Sequence, residues 1–187
     1  MEKVLTILVP VYNTEKYIKR CLDSVLLKET NADVEVLAVS DGSKDGAVDI
    51  IKEYQKQYPD TLRLIEKENG GHGSTINVGI KNAVGKYFKV LDSDDWVNSI
   101  DFIEFVNRLK KENADLVVTN YSKEHVYSGV SEYLKYDKLE ENKKYIFGDG
   151  CNMAYRKSYY IENRGFAKNS QSYLGYDNDM VRELSRF

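Results

Sequence analysis

The sequence predicts the α/β fold class, with a mostly parallel sheet that helices cover on both faces. Strand-like and helical segments alternate through the first 119 residues, which is the pattern of parallel strands joined by crossover helices. The first strand, LTILVPV, is continuously apolar, as expected when both faces of a strand are buried. Polar, often glycine-containing clusters follow the strands. These features are typical of a Rossmann-like sheet that binds ligands at the carboxyl ends of its strands.

The elements follow from local patterns. Asn13 or Thr14 is expected to cap the first helix, and its apolar residues recur on one face, which places Cys21 in the core. Pro59 ends the second helix and Gly85 stops the third, since neither residue favours a helix interior. The predicted strands are 5–11, 34–39, 61–66, 87–91, 115–120 and 152–156, and the predicted helices are 14–27, 47–58, 74–84, 100–112 and one from 177.

The pattern dissolves between residues 122 and 144, where the chain is charged and rich in tyrosine. One interpretation is a solvated excursion whose tyrosines, among them Tyr127, Tyr133, Tyr136 and Tyr145, pack as amphipathic cover. The other is a lid or a platform for an acceptor. We expect a single domain over residues 1–187, with a nucleotide-binding half at 1–120 and an acceptor-side half at 121–187. The sequence stops within a predicted helix, which is compatible with a longer parent chain.

Composition and charge exclude several classes of function. A net charge of −3 and a pI of about 5.5 argue against binding to nucleic acid. Cys21 and Cys151 are distant and lack the spacing of a zinc site. The apolar N-terminal run is short and interrupted by Pro10, unlike a signal peptide, and no stretch is long enough for a membrane span. These features predict a cytoplasmic protein.

The segment VLDSDDW places acidic residues directly after an apolar strand. If the chain stays extended, the side chains of Asp92 and Asp94 share a face. Two converging carboxylates suit a hard divalent ion such as Mg²⁺ or Mn²⁺, which prefers oxygen ligands and often keeps phosphates as co-ligands. The competing interpretation is a solvated turn in which Asp95 or Ser99 caps the next helix.

Two further clusters follow the first and second strands. In SDGSKDG, Gly42 permits a tight turn, and Asp41 could accept an N–H bond from a nucleobase or cap a helix. The remaining residues of that cluster are typical of a turn at the start of a helix. In VPVYN, the ring of Tyr12 could lie against a base or belong to the rim of the core.

The segment ENGGHGSTIN is a glycine-rich loop that leads into a helix. Exposed amides at such an N-terminus attract phosphate oxygens. Ile76 stands where a dinucleotide fingerprint needs a small residue, so this is not a GxGxxG motif. His72 could contact phosphate or base, or be solvated, and Asn77 could reach the ligand or stabilise the turn.

The segment GYDND opens the last predicted helix. Acidic residues at a helix start usually interact with the helix dipole. Alternatively, Asp177 or Asp179 faces the cleft as a general base.

The ordered set VPVYN, DGSKDG, glycine loop with Asn77, and DSDD resembles the nucleotide-sugar-binding half of family 2 glycosyltransferases, which have the GT-A fold. The likeness covers about residues 4 to 120. Many members carry two acids before Gly-Ser, and Ser40 stands at the first of these positions here. The resemblance implies transfer of a sugar, with inversion, from a nucleoside diphosphate donor, commonly UDP, to a carbohydrate or lipid-linked acceptor. It also implies a divalent metal, Mn²⁺ or Mg²⁺.

The resemblance assigns roles to individual residues. The metal is held by Asp94 and Asp92, with Asp94 the more direct ligand. The general base is Asp179, with Asp177 as the alternative. The residues expected to bind the donor are Pro10, Val11, Tyr12, Asp41, Gly71, His72, Gly73, Asn77, Asp92, Ser93 and Asp94.

Two other functions remain open from the sequence. A sugar-phosphate nucleotidyltransferase shares the architecture and the acidic residues, but its basic glycine loop after the first strand is absent from VYNTEKY. A non-catalytic nucleotide-sugar-binding module is the second. Polysaccharide or cell-surface glycan synthesis is the expected setting, with peripheral association at the inner face of the membrane through a missing C-terminal region.

Overall fold

A computed structural model describes residues 3–125, 127–135 and 153–158. The elements alternate as the sequence predicts, with a short hairpin inserted late in the chain. The strands are β1 (Lys3–Val11), β2 (Val34–Asp41), β3 (Leu62–Lys67), β4 (Gly85–Val90), β5 (Leu116–Val118), β6 (Tyr121–His125), β7 (Val130–Leu134) and β8 (Met153–Arg156), and the helices are α1 (Glu15–Val25), α2 (Ala47–Gln57), α3 (His72–Asn82) and α4 (Ser99–Leu109).

Six strands form the main sheet in the order β3-β2-β1-β4-β8-β5. β1 pairs in parallel with β2 and β4, and β2 pairs in parallel with β3. β8 lies between β4 and β5 and is antiparallel to both. The predicted mostly parallel sheet is confirmed, and the order brings the carboxyl ends of β1 to β4 to one edge.

Helices cover both faces of the sheet, as predicted. Leu5, Ile7 and Val9 of β1 point into a core shared with α1, α2 and α4. Leu8, between them in sequence, packs on the opposite face with Ile76 of α3. Side chains alternate across a strand, so an apolar run without polar interruptions is what two covered faces require.

Three helix starts differ from the sequence prediction. Neither candidate side chain caps α1: Thr14 makes no capping hydrogen bond, and Glu15 N–H donates instead to Asp45 of a different loop, at 2.8 Å. α3 begins at His72, before Ser74. α4 is capped by Asn98, whose side chain accepts from two backbone amides. The local sequence indicates which residues favour a capping position. It does not show which oxygen accepts from the amides at the helix start, which have no partner within the helix.

The segment after β5 contains a two-stranded antiparallel hairpin, β6-β7. Tyr127 at its turn is fully exposed and Tyr133 is more than half exposed. The expectation that these tyrosines pack as cover is therefore wrong for the part of the hairpin that the structure describes. Tyr136 and Tyr145 lie outside the described residues.

Candidate active site

Four loops meet at the carboxyl edge of the parallel strands. They follow β1, β2, β3 and β4, which are neighbours in the sheet. Every polar cluster that the sequence analysis singled out in residues 1–120 lies in one of them. The predicted convergence of these clusters at one edge follows from the strand order.

The loops after β1 and β2 are joined by side chain to backbone hydrogen bonds. Asn13, with a positive φ of 54°, accepts from Lys44 N–H at 2.8 Å and donates its own N–H to Ser43 Oγ at 3.2 Å. Gly46 N–H donates to Glu15 Oε2 at 3.0 Å. These contacts run in both directions between the loops, and they hold the chain that carries Tyr12.

Of the three residues expected to frame a base after β1, only Tyr12 presents its side chain. Tyr12 is 51% exposed, whereas Pro10 and Val11 are buried within the strand. Pro10 and Val11 therefore shape this part of the site through the backbone, and Tyr12 supplies the surface that a planar group could stack on.

Asp41 ends β2 and is only 3% exposed. Its carboxylate accepts hydrogen bonds from Lys67 Nζ and from Gly70 N–H, the latter at 2.9 Å. Burial by itself acts to raise the pKa of Asp41, but the hydrogen bonds from Lys67 and the glycine loop outweigh it, and the pKa lies below its usual value. Asp41 is thus a fixed anionic acceptor.

Lys67 is a site residue that the sequence analysis missed. Its ammonium also donates to Ser74 Oγ and to the Glu68 carbonyl, both at 2.7 Å. Its side chain is 20% exposed. The signal that could have identified it is strand pairing, because Lys67 is the register partner of Asp41. To use that signal, one has to know the register between two strands whose paired residues lie 26 positions apart in the sequence.

The glycine loop turns sharply into α3. Gly71 has φ +82°, a conformation that favours glycine, and its carbonyl accepts from Ser74 N–H at 2.9 Å. His72 and Asn77 are partly exposed, and Gly73 is buried. The first amides of α3 therefore start at this edge, where a helix N-terminus favours an anion.

The acidic loop, residues 91–98, differs from the expected geometry. β4 ends at Val90, and Asp95 N–H donates to the Asp92 carbonyl at 2.9 Å, so residues 92–95 form a turn. The assumption of an extended chain at Asp92 and Asp94 is wrong, because the pairing of β4 with β1 ends at Val90 and the chain turns away from β1, which continues to Val11. Asp94 is exposed and Ser93 is buried.

Asp92 lies where the acidic loop faces the glycine loop. Its side chain is 34% exposed, and its Oδ1 lies 3.8 Å from His72 Nε2. This distance exceeds a hydrogen bond but permits an ion pair when the histidine is protonated. The two loops therefore face each other across a short gap lined by oxygen and nitrogen atoms.

The acidic loop fits a divalent ion that shares its coordination with a ligand. Among the described residues, no group of three or more His, Cys, Asp and Glu side chains could hold a metal by itself. The carboxylates of Asp92 and Asp94 supply hard oxygen donors at the edge where an anion would enter. Mg²⁺ and ions like it are commonly held by one or two carboxylates together with phosphate oxygens.

The two candidates for the general base, Asp177 and Asp179, lie outside the described residues, and their roles remain predictions.

No helix in the part of the chain that the structure describes combines the length and apolarity that a membrane crossing requires.

The sequence profile described as "Glycosyl transferase family 2" matches residues 6–164. The chain is 40% identical over 125 residues to EpsH of Bacillus subtilis, covering 67% of this chain and 36% of that protein. It is 37% identical over 118 residues to the glycosyltransferase GlyA of Streptococcus pneumoniae, covering 63% of this chain and 16% of that protein. The matched part of the chain thus spans 36% or less of the length of these relatives.

Solved structures show the same fold. TarS of S. aureus, determined in complex with UDP-GlcNAc, superposes with a TM-score of 0.68 and 22% identity over 89% of this chain and 49% of that chain. The mannosyltransferase PcManGT of Pyrobaculum calidifontis, in complex with GDP-Man and Mn²⁺, gives a TM-score of 0.65 and 22% identity over 89% of this chain and 48% of that chain. The GT-A fold inferred from the sequence resemblance is confirmed.

Proposed function

Because the chain belongs to glycosyl transferase family 2, we propose that it is a metal-dependent, inverting enzyme that moves a sugar from a nucleoside diphosphate sugar to an acceptor hydroxyl. UDP-sugars are the proposed donors. The observation that carries this proposal is the convergence of Asp41 with Lys67, the start of α3, and the acidic loop at one sheet edge. In the proposed orientation, a nucleotide has its base beside Asp41 and its diphosphate beside the start of α3 and the acidic loop.

The Asp41 carboxylate, held by Lys67, complements the imide N–H of uracil, which is a hydrogen-bond donor. A carboxylate provides about four acceptor positions, so Asp41 can accept the base N–H while it keeps Lys67 and Gly70. The three N–H donors of Lys67 are engaged by Asp41, Ser74 and the Glu68 carbonyl, so the proposed part of Lys67 is to orient the carboxylate. Tyr12 is the proposed stacking surface.

The diphosphate is proposed to lie between the start of α3 and the acidic loop. The divalent ion held by Asp94 and Asp92 would supply Lewis acidity to the leaving diphosphate. The amides at Gly71, His72 and Gly73 would receive phosphate oxygens, with Asn77 one turn further along. Ser93 is buried, and its role is to position the two acids on either side of it.

The chemical step is proposed as a single displacement. Asp179, or Asp177 in its place, accepts the proton of the acceptor hydroxyl as the new glycosidic bond forms. The acceptor oxygen attacks the anomeric carbon from the face opposite the diphosphate, and the bond from that carbon to the nucleoside diphosphate breaks as the new bond forms, so the anomeric configuration is inverted. No nucleophile of the protein takes part.

The proposed setting is polysaccharide or cell-surface glycan synthesis in the cytoplasm, with peripheral association at the inner face of the membrane. The proposed acceptor is a carbohydrate or a lipid-linked glycan. The net charge of −3 gives no support to nucleic acid as a partner.

The test is a thermal-shift panel of UDP, GDP and ADP, each with and without Mn²⁺. A nucleotide that binds the folded state raises the melting temperature, and we expect UDP to do so most strongly when Mn²⁺ is present. Absence of any shift with the whole panel would contradict the proposal. Release of pyrophosphate from a nucleoside triphosphate and a sugar phosphate would instead support a nucleotidyltransferase, and UDP binding without donor hydrolysis a binding module.

A further inference from the structure

We propose that Arg20 of α1 is a positioning residue for the acidic loop, acting through a stack on Trp96. The inference rests on the proposed function, since it concerns how the loop presents Asp92 and Asp94 to a divalent ion. It adds a residue outside the four loops to the machinery of the site.

The contact between Arg20 and Trp96 is close and face-on. The guanidinium carbon Cζ lies 3.2 Å from the centroid of the indole ring. Cation–π attraction acts out to about 6 Å, and a planar guanidinium also stacks on an aromatic face in a way that an ammonium cannot. The side chain of Arg20 therefore lies directly against the residue that follows the acidic cluster.

Two neighbours of Arg20 hold the same loop at its ends. Cys21 Sγ lies 3.8 Å from the Asp92 carbonyl, a weak hydrogen bond at the start of the loop. Ser24 Oγ accepts from Val97 N–H at 3.2 Å near its end. Positions 20, 21 and 24 share one side of a helix, so one strip of α1 contacts the loop near its start, at Asp92, and near its end, at Trp96 and Val97.

The three attachments differ in what else they support. Cys21 and Ser24 are buried in the core, so replacing either would disturb packing as well as the loop. Arg20 is exposed and Trp96 is partly exposed. The Arg20 contact can therefore be removed with little loss of core packing, which isolates its effect on the loop.

The charge of Arg20 also suits the location. Asp92, Asp94 and Asp95 bring like charges together within one turn, and like charges close together repel. A cation stacked on the next residue partly offsets this repulsion before a metal ion is bound. Because the positive charge of Arg20 by itself disfavours a second cation nearby, the proposed benefit to metal binding comes from the stack, which holds the loop in one arrangement.

Trp96 provides a direct readout because it is the only tryptophan of the chain. Its emission reports on the acidic loop, and bound Mn²⁺ quenches a nearby indole. We propose titrating Mn²⁺ into the whole chain in the presence of saturating UDP, comparing wild type, Arg20→Ala, Arg20→Lys and Lys16→Ala. Lys16→Ala removes one positive charge from the exposed side of the same helix and serves as the control.

We expect Arg20→Ala to change the emission of the free protein and to raise the Mn²⁺ concentration at half-quenching about two- to fivefold, as the loss of one exposed cation–π contact implies. Arg20→Lys should raise this concentration at least as much, because it loses the planar stack and keeps a charge that disfavours a second cation. Lys16→Ala should match wild type. UDP binding without metal should be the same in all four proteins.

A double-mutant cycle provides the second measurement, read from the Mn²⁺ dependence of the melting temperature in the presence of UDP. Trp96→Leu should shift this dependence as Arg20→Ala does, and the double variant should add nothing further, since the two residues act through one contact. Equal Mn²⁺ dependence in wild type and Arg20→Ala, or fully additive effects, would overturn the inference. Absence of any Mn²⁺ response in the wild type would overturn the proposed metal dependence and, with it, this inference.

Discussion

Asp41 and Lys67 are register partners at the carboxyl ends of two adjacent parallel strands, and the lysine ammonium donates a hydrogen bond to the carboxylate. The pair is largely buried, with 4% of the aspartate side chain and 20% of the lysine side chain exposed. Lys67 reaches Ser74 as well, so one cation connects the end of β2 with the glycine loop. The contact therefore contributes both to stability and to the shape of the proposed base site.

Lys67→Met should lower the stability of the fold and weaken binding at the proposed base site. The variant leaves the buried Asp41 carboxylate without its cation, and loss of a partner for a buried polar group costs about 1–3 kcal/mol. Urea unfolding should show this decrease in the free energy of unfolding, and the thermal shift produced by UDP should shrink. Lys52→Met, which removes a surface ion pair with Glu66, is the control and should change stability little. Equal stability in the two variants would contradict the role of Lys67.

Asp41→Asn should make stability less dependent on pH in the acid range. The pKa of Asp41 is lower in the folded protein than in the unfolded chain, where it is about 3.9. The ionised group therefore stabilises the fold fully above the unfolded pKa, and this contribution is lost as pH falls through the folded pKa. The difference in unfolding free energy between wild type and variant should be largest near about pH 7 and shrink towards about pH 3. A difference that stays constant with pH would argue against an ionised Asp41.

Asp94→Asn should lose the proposed metal-dependent activity. The amide keeps the size of the side chain but removes the charge that a divalent ion prefers, and we expect donor hydrolysis or transfer to fall by about 10- to 100-fold or more, because even indirect metal contacts have effects of this size. Asp92→Asn should act in the same direction. Glu104→Gln, an exposed acid on α4, is the matched control. Full activity of Asp94→Asn in Mn²⁺ would refute the metal role.

Gly85→Ala should destabilise the pairing of β1 with β4. A Cβ at this position would lie 2.4 Å from Thr6 N and 2.6 Å from the Leu5 carbonyl carbon, and backbone atoms cannot rotate away as a side chain can. Overpacking of this kind costs about 1–3 kcal/mol. Thermal unfolding should show the loss, while Val84→Ala at the neighbouring, half-exposed side chain should have a small effect. A stable Gly85→Ala variant would show that the two strands can separate without penalty.

Asp179→Asn should abolish sugar transfer while UDP and Mn²⁺ still raise the melting temperature, since a general base acts on the acceptor and not on the donor. Asp177→Asn is its natural control, because Asp177 lies two positions before Asp179 in the same segment. If Asp177→Asn shows the loss instead, the alternative assignment is correct. Wild-type transfer in both variants would place the base elsewhere.

The strand and helix alternation, the two covered faces of the sheet and the convergence of polar clusters could all be predicted from the sequence. Each depends on local patterns: LTILVPV is apolar throughout, and glycine and acidic residues follow directly after strands. The family resemblance rests on the same short segments. The position of β8 between β4 and β5 could not be predicted, because an antiparallel insertion after a long excursion leaves no local pattern.

The contacts that shape the candidate site were decided by the tertiary structure. Asp45 receives the first amide of α1, Lys67 pairs with Asp41, and Arg20 stacks on Trp96. Each contact joins residues far apart in sequence, and each depends on strand register or on how α1 packs against the sheet. The residues of the sequence therefore determined which chemical groups reach the sheet edge, whereas the packing of strands and helices determined which of those groups touch, because distances between them exist only once the chain has folded.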